Sequence, residues 1–261
     1  IRYAKESLWA EEGPYKGFSI GLVLGEDGSW RQRPGWKYEI GWCGQNASYA
    51  ISLLRDYQKT GSKESLDKGI ATLDTWAKCG LPNGLFVTNY DHILNGNRNG
   101  SIDACNLGTA AVNFFEACDL AKECGVERPE YERVAYSICD FVASDEQENG
   151  CYAKGWKPDG ESIYREGTIG CFMVPAMIEA YRRSGEERYL SSALKAYRHY
   201  LAELKENGFT TAGALDTWCI DKESSISLLR SAIRLHRLTG QPEYIEDAMA
   251  VSYYLSTWLW H

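Results

Sequence analysis

The sequence has few histidines, no basic cluster and no long apolar run. Only four of its 261 residues are His, and its 28 Lys and Arg residues are outnumbered by 36 Asp and Glu, which gives a formal net charge of -8. Without a concentration of Lys and Arg, the chain lacks the electrostatic footprint of a protein that binds nucleic acid or an anionic membrane. No apolar run reaches the length that a membrane span needs. These absences favour a small substrate that is neutral or recognised locally.

The nine cysteines form no Cys-x-x-Cys pair, the spacing that is typical of zinc sites and of redox motifs. Cys118, Cys139 and Cys171 fall within helical apolar patterns, where a free thiol packs as a small hydrophobic side chain. Reduced and buried thiols are typical of the cytoplasm. We therefore expect a cytoplasmic protein that needs no metal and no other cofactor.

A helical hairpin recurs along the chain. Each copy contains a helix, a turn that ends in glycine and a second helix, and the four turn glycines are about 60 residues apart, at Gly61, Gly125, Gly185 and Gly240. The second helices of the last three copies begin with Tyr-x-x-x-Ala, as in Tyr131 to Ala135. Wide apolar arcs on the first helices predict that these are inner helices, packed on both sides.

Loops that return from each hairpin to the next contain the other local signals. An Asn-Gly step follows the second helix in three copies, at Asn83, Asn149 and Asn207, and a short aromatic or β-branched run comes after it. Such runs predict short strands or extended loops. With 44% hydrophobic residues the chain can bury one large core. We predict a single domain over residues 1–261, with an N-terminal helix and a β-hairpin loop in 1–40 and four helical hairpins in 41–261.

The repeat resembles the six-hairpin glycosidase superfamily. The resemblance also rests on two stretches, Ile-Gly-Trp-Cys-Gly-Gln-Asn over 40–46 and Leu-Asp-Thr-Trp over 215–218. It implies an all-α fold, an (α/α)6 toroid of helical hairpins with short β-hairpin loops on one rim and a central cleft. Unsaturated glucuronyl and rhamnogalacturonyl hydrolases are the first comparison, since they place acidic residues on toroid loops and inner helices.

Six hairpins are expected for that fold, and four are found. Residues 1–12 suggest the outer helix of a fifth. The alternatives are an open toroid and a fragment of a longer chain, and the absence of an initial Met together with the apolar stretch from Trp258 to His261 favours the fragment.

Each hairpin carries one acidic residue near the start of its inner helix. Counted back from the turn glycine, the position is 22 residues for Glu39 and Asp103 and 19 residues for Glu166 and Asp221. Glycoside hydrolysis needs one protonated carboxyl that donates to the leaving oxygen and a second carboxylate that activates water or attacks the anomeric carbon. We predict Asp221 and Glu166 as the leading catalytic pair and Asp103 as the next candidate. The competing interpretation is that these acids only cap helix starts, and it applies most to Asp103 and Asp221.

Aromatic and polar side chains beside these acids predict a sugar-binding surface, because flat apolar faces stack on sugar rings while polar groups bind hydroxyls. For each Trp, an ordinary core position is the competing interpretation. His92 is a second-rank acid/base candidate on a loop, Asp216 is a second-rank acid, and Asn46 and Asn106 are plausible hydroxyl binders. The predicted substrate-binding residues are Trp42, Gln45, Tyr90, His92, Trp156, Arg165, Asp216 and Trp218.

Three functions remain open from the sequence. The first is a glycoside hydrolase with an oligosaccharide substrate and no nucleic-acid or membrane partner. The second is a polysaccharide lyase or a sugar epimerase on the same fold, and the scarcity of His weakens the epimerase. The third is a non-catalytic helical-repeat scaffold that binds a peptide or glycan. The sugar, the linkage, the stereochemical outcome and the oligomeric state do not follow from the sequence.

Overall fold

Helical hairpins make up most of the chain in the computed structural model, which describes residues 1–32, 37–41, 45–96, 102–211 and 219–259. The hairpins in this part of the chain pair α1 (Asn46–Thr60) with α2 (Lys63–Trp76), α4 (Ala104–Glu123) with α5 (Pro129–Asp145), α6 (Val174–Ser184) with α7 (Glu187–Asn207), and α8 (Glu223–Thr239) with α9 (Glu243–Ser256). A short helix, α3 (Asp91–Leu94), lies between the first two hairpins. The four predicted hairpins are confirmed.

The turn glycines end the first helix of each hairpin as predicted. Gly61, Gly185 and Gly240 each have φ of +71°, and Gly125 has φ of +80°. This left-handed conformation costs an L-residue energy but suits glycine, and it lets the Gly61 amide donate back to the Tyr57 carbonyl.

By its internal packing the chain divides into two units. The first comprises residues 1–102 and 109–138, and the second comprises residues 103–108 and 139–261. The prediction of one domain over 1–261 stays a prediction. None of the helices in the described residues combines the length and the hydropathy that crossing a membrane requires.

The first unit begins with a five-residue π-helix, Ala4–Leu8, followed by two β-hairpins. In the first hairpin β1 (Trp9–Glu12) pairs with β2 (Tyr15–Phe18), and in the second β3 (Leu22–Leu24) pairs with β4 (Trp30–Gln32). The outer helix suggested for residues 1–12 is therefore wrong beyond Leu8, because Trp9 to Glu12 form a strand. An aromatic cluster fills the core, where the ring of the fully buried Tyr15 stacks on that of Tyr38 at a centroid distance of 3.8 Å.

The second unit contains the last two hairpins, the start of α4 and several short strands. The strands are β6 (Gly155–Trp156), β7 (Ser162–Tyr164), β8 (Thr210–Thr211) and β9 (Ile220–Asp221), together with Asp103 of β5 (Ile102–Asp103). β6 pairs with β7 and β8 pairs with β9, both antiparallel. A 3-10 helix, Ile169–Met173, leads into α6. These strands precede the first helices of the hairpins, so they position the residues at the helix starts.

Candidate functional site

Asp103 lies at the start of α4 and bonds twice to one neighbour. Its Oδ1 accepts a hydrogen bond from the Asn106 backbone amide at 2.8 Å, and its Oδ2 accepts one from the Asn106 side-chain amide, also at 2.8 Å. Burial raises the pKa of Asp103, and the bonds from Asn106 oppose that shift. Asp103 thus caps the helix, as the competing interpretation expects, and is also a carboxyl that keeps its proton to a higher pH than usual. Asn106 is fully buried and is engaged in this cap.

A buried lysine, Lys154, interacts electrostatically with Asp103. Lys154 is 7% exposed and is held by its backbone, whose amide donates to the Tyr164 carbonyl at 2.6 Å and whose carbonyl accepts from the Ala104 amide at 2.8 Å. Burial lowers the pKa of the Lys154 amine, while the charges of Asp103 and then Cys219 act in the opposite direction. The Lys154 amine, just before β6, therefore lies within the electrostatic reach of Asp103 and of Cys219.

Lys154 was not among the predicted site residues. Its signal in the sequence is the placement of a lysine within the mainly apolar and aromatic run Cys-Tyr-Ala-Lys-Gly-Trp over residues 151–156. A buried amine needs an acidic neighbour, and that neighbour lies about fifty residues earlier in the chain.

Glu166 and Asp221, the predicted catalytic pair, both accept hydrogen bonds from backbone amides. Glu166 is exposed, and its Oε2 accepts from the Arg165 amide at 3.2 Å. Asp221 is half-buried, and its Oδ1 accepts from the amides of Lys222 and Glu223 at the start of α8. Asp221 therefore acts as a helix cap through one oxygen.

Asp145, at the end of α5, holds two of the predicted binding residues. Its Oδ1 accepts from the Arg165 guanidinium at 2.7 Å and its Oδ2 from the Trp156 indole N–H at 2.7 Å. Trp156 is fully buried, and its ring packs edge-on against Phe141. The position of Trp156 gives no support to a role as a sugar platform, and the guanidinium of Arg165 is committed to an ion pair.

The first unit contains the remaining described candidates. Glu39 is 6% exposed, and Tyr90 is 5% exposed within the aromatic cluster around Tyr15. Gln45 is exposed with φ of +50°, and His92 is half-buried on α3.

Asn46, a plausible hydroxyl binder, is fully buried. Its side-chain amide donates to the carbonyls of Phe18 and Glu39, and its Oδ1 accepts from the Phe18 amide and the Tyr15 hydroxyl. The structure therefore gives Asn46 a role in holding the loop before α1.

Trp42, Asp216 and Trp218 lie outside the described residues. Across the described ranges, no three His, Cys, Asp or Glu side chains are grouped as the ligands of a metal ion would be.

No protein-family model matches the chain, and no curated protein matches it. Solved structures do. A GH76 alpha-mannanase from Bacteroides thetaiotaomicron matches with a TM-score of 0.62 and 13% identity, over 87% of this chain and 63% of that one. A D-mannose isomerase matches with a TM-score of 0.66 and 13% identity, over 96% of this chain and 66% of that one.

A third match is an inactive variant of a GH76 alpha-1,6-mannanase from a Salegentibacter species, with two consecutive aspartates replaced and alpha-1,6-mannotetrose bound. Its TM-score is 0.60 at 14% identity, over 97% of this chain and 67% of that one. The chain therefore has the all-α, α/α-toroid fold of the six-hairpin glycosidases, and the predicted resemblance is confirmed at the level of the fold. The chain spans about two thirds of the length of these proteins.

Proposed function

We propose that the protein is a glycoside hydrolase that acts on oligosaccharides by general acid/base catalysis between carboxyl groups. The observation that carries this proposal is the position of Asp103, a carboxyl held through both oxygens by Asn106 at the start of α4, where burial raises its pKa and the charge of Lys154 reaches it. The fold supports the same class of activity, because the mannanases that share it are glycoside hydrolases.

Asp103 is suited to the role of general acid. A glycosidase acid must hold a proton near neutral pH and give it to the departing glycosidic oxygen, and desolvation favours the protonated form. Once the proton has left, the Lys154 ammonium stabilises the carboxylate electrostatically. Asn106 fixes the orientation of the carboxyl through both of its oxygens.

The second carboxylate in this proposal is Glu166 or Asp221. Glu166 has an exposed carboxylate with one backbone contact, so it can accept a proton from water or reach a sugar. Asp221 caps α8 with its Oδ1, and in this proposal its Oδ2 would be the oxygen that acts on the substrate. Glu166 is therefore our first choice as the base or nucleophile.

The substrate need not be the one bound by the mannanase neighbour. That enzyme is inactive when two consecutive aspartates are replaced, whereas this chain contains no two adjacent aspartates. A useful glycan panel therefore contains alpha-1,6-linked mannosides, neutral glucosides and galactosides, and unsaturated uronides.

The test is the release of reducing sugar from this panel by the wild type and by Asp103→Asn, Glu166→Gln and Asp221→Asn. The amide at position 103 cannot donate the proton, so release from the responsive glycan should stop while the urea unfolding midpoint stays within the range of a folded control. Full activity in Asp103→Asn would reject Asp103 as the acid.

A sugar isomerase or epimerase is the second candidate, favoured by the match to the D-mannose isomerase over nearly the whole chain. Toroid epimerases resemble this fold but rely on paired histidines. In the second unit, His199 lies midway along α7 and His236 lies in the last turn of α8, so neither histidine of its described residues is at a helix start. Ketose formation from mannose, without reducing-sugar release from any glycan, would favour this candidate, and glycan binding without either reaction would favour a scaffold.

A further inference from the structure

An exposed aromatic side chain lies on the strand that leads to Glu166. Tyr164 is the last residue of β7 and is 47% exposed, whereas the predicted sugar-binding aromatics Tyr90 and Trp156 are buried. Exposed aromatic rings are common on protein surfaces, so exposure alone gives Tyr164 no function. Its position in the sheet and the residues beside it on the same face provide the argument.

A three-stranded sheet fixes the position of Tyr164 relative to Asp103. The strands lie in the order β5, β6, β7, so one strand separates Asp103 of β5 from Tyr164 of β7. Lys154 connects the two sides, because its carbonyl accepts from the Ala104 amide at 2.8 Å and its amide donates to the Tyr164 carbonyl at 2.6 Å. Since neighbouring strands are about 4.8 Å apart, the Cα atoms of Asp103 and Tyr164 are about 10 Å apart. That separation is of the order of the length of a disaccharide.

The side chain of Tyr164 points away from the anchored face of its strand. Side chains alternate along an extended chain, so Tyr164 and the following Arg165 point to opposite faces. The Arg165 guanidinium donates to the Asp145 carboxylate at 2.7 Å, which ties its face to the end of α5. Tyr164 therefore lies on the other face, together with Ser162.

The neighbours of Tyr164 on its own face are small or acidic. Gly155 lies directly opposite it on β6, and Ser162 precedes it by two positions on β7. Neither residue has a bulky side chain, so both leave room beside the ring. Further along, the Oε2 of Glu166 accepts from the Arg165 amide at 3.2 Å, which places a carboxylate next to the residue after Tyr164. A flat apolar ring beside a carboxylate and a hydroxyl is the combination that binds a sugar ring and its hydroxyl groups.

We propose that Tyr164 is a sugar-stacking residue that binds the glycan ring next to the one on which Asp103 acts. The separation of about 10 Å from Asp103 assigns Tyr164 to a neighbouring ring, so it acts in binding and in the selection of oligosaccharides and not in proton transfer. The position of that ring relative to the acid rests on the proposed function, whereas the contact between Tyr164 and a glycan does not.

The test is glycan binding by the intact wild type and by Tyr164→Ala, measured by isothermal titration calorimetry. The probes are alpha-1,6-mannotetraose, cellotetraose and beta-1,4-galactotetraose. Tyr164→Ala should weaken the binding of the tetrasaccharide that the wild type binds by about three- to tenfold, the effect of one lost ring contact. Tyr164→Phe keeps the ring and should bind within about twofold of the wild type.

The matched control is Tyr253→Ala, which removes another exposed tyrosine, on α9, and should leave the affinity unchanged. Equal urea midpoints of the variants and the wild type exclude unfolding as the cause of weaker binding. An unchanged affinity in Tyr164→Ala would overturn the proposal. So would an equal loss in Tyr164→Phe, which would assign the effect to the hydroxyl, or a wild type that binds none of the three tetrasaccharides.

Kinetics distinguish this inference from the proposed function. On a hydrolysed tetrasaccharide, Tyr164→Ala should raise KM and leave kcat within about twofold, whereas kcat/KM for the methyl glycoside of the same sugar should not change. An equal loss on both substrates would place Tyr164 at the reacting sugar and overturn its assignment to the neighbouring ring. A wild type that binds the tetrasaccharide through Tyr164 without cleaving it would reject the hydrolase and retain Tyr164 as a binding residue. Hydrolysis with an unaltered KM in Tyr164→Ala would retain the hydrolase and reject the role of Tyr164.

Discussion

Thr168 and Thr211 bind each other twice, because the backbone amide of each residue donates a hydrogen bond to the side-chain hydroxyl of the other, over 2.8 and 2.9 Å. Thr168 is 2% exposed, and Thr211 belongs to β8, which pairs with the strand that ends at Asp221. These two hydrogen bonds therefore join the turn that carries Glu166 to the strand pair that carries Asp221. A Cβ added at Gly167 would lie 2.5 Å from the Thr211 hydroxyl, so the turn requires glycine for space as well as for its φ of +77°.

Replacing Thr211 by Val should destabilise the protein by about 1–3 kcal/mol, because it leaves the buried Thr168 amide without an acceptor. The measurement is the free energy of unfolding from urea titrations. Thr211→Ser keeps the hydroxyl and is the matched control, with a much smaller expected loss. The variants Thr168→Val and Thr211→Val should be non-additive in a double-mutant cycle, and full additivity would show that the two residues act separately.

The pH dependence of catalysis should follow from Asp103 and Lys154. If Asp103 is the acid, activity is lost on the alkaline side as its raised pKa is passed. Lys154→Met removes the nearby positive charge that favours the carboxylate, so the alkaline limb of the kcat/KM profile should move to higher pH. Lys157→Met is the matched control, since Lys157 is an exposed lysine nearby in sequence. A limb that stays in place in Lys154→Met would remove Lys154 from the electrostatics of the acid.

The raised pKa of Asp103 should also make the stability of the protein depend on pH. A carboxyl whose pKa is higher in the folded state binds more protons when folded, so its contribution is present at low pH and is lost as pH rises from about 4 through the raised value. The wild type should therefore lose stability relative to Asp103→Asn over that range. The check is the difference in urea midpoint between the two proteins at a series of pH values, and a constant difference would mean that Asp103 titrates as an ordinary aspartate.

Much of the fold could be predicted from local patterns, because the hairpins are specified by signals a few residues long. A helix that ends in glycine, such as Gly61 after α1, needs only its own turn to form. The strand at Trp9 to Glu12 illustrates the limit of this approach. The preceding residues favour a helix, but antiparallel pairing with Tyr15 to Phe18 takes over after Leu8.

The candidate site was less predictable, because its chemistry depends on burial and on contacts that are distant in sequence. The spacing from the turn glycines led us to rank Asp221 and Glu166 above Asp103, and the raised pKa of Asp103 could not be read from that spacing because it depends on burial. Trp156 was predicted as a sugar platform, yet its ring is fully buried and its indole N–H donates to Asp145. Lys154 needed knowledge of which acid lies beside it, and that depends on the tertiary fold.

Asp145 should be a strong determinant of stability. Asp145→Ala leaves the buried Trp156 indole N–H without its acceptor and removes the carboxylate partner of the Arg165 guanidinium, so a loss of about 1–3 kcal/mol or more is expected in urea unfolding. Glu161→Ala is a suitable control. It breaks the exposed ion pair with Lys157 and should change stability by only about 0.5 kcal/mol. Similar effects in both variants would contradict the role of Asp145 as the anchor of Trp156 and Arg165.

Gly108 should be intolerant of alanine although it lies within a helix, where alanine is ordinarily the better residue. Its added Cβ would lie 2.1 Å from the backbone carbonyl oxygen of Phe172 in the 3-10 helix before α6. Because backbone atoms cannot move aside as a flexible side chain can, Gly108→Ala should cost about 1–3 kcal/mol. Gly80→Ala, where a new Cβ meets nothing within 4 Å and φ is −62°, is the control and should be close to neutral. Thermal unfolding of the two variants distinguishes close packing at Gly108 from a general effect of alanine.

His199 should make the stability of the protein depend on pH above neutrality. Interactions with Cys151 and then Glu203 raise its pKa to about 9 in the folded state, compared with about 6.5 when unfolded. The stabilisation from protonated His199 is then fully present below about pH 6.5 and is lost as pH rises through about 9. The gap in urea midpoint between wild type and His199→Asn should accordingly be wide near pH 6 and close by about pH 10.

An NMR titration of the His199 ring separates the two partners of the imidazole. Its pKa should fall in Cys151→Ser and also in Glu203→Gln, because each variant removes one group that favours the imidazolium. A His199 ring that titrates near its ordinary value in the wild type would show that these two groups do not hold the imidazole as a cation.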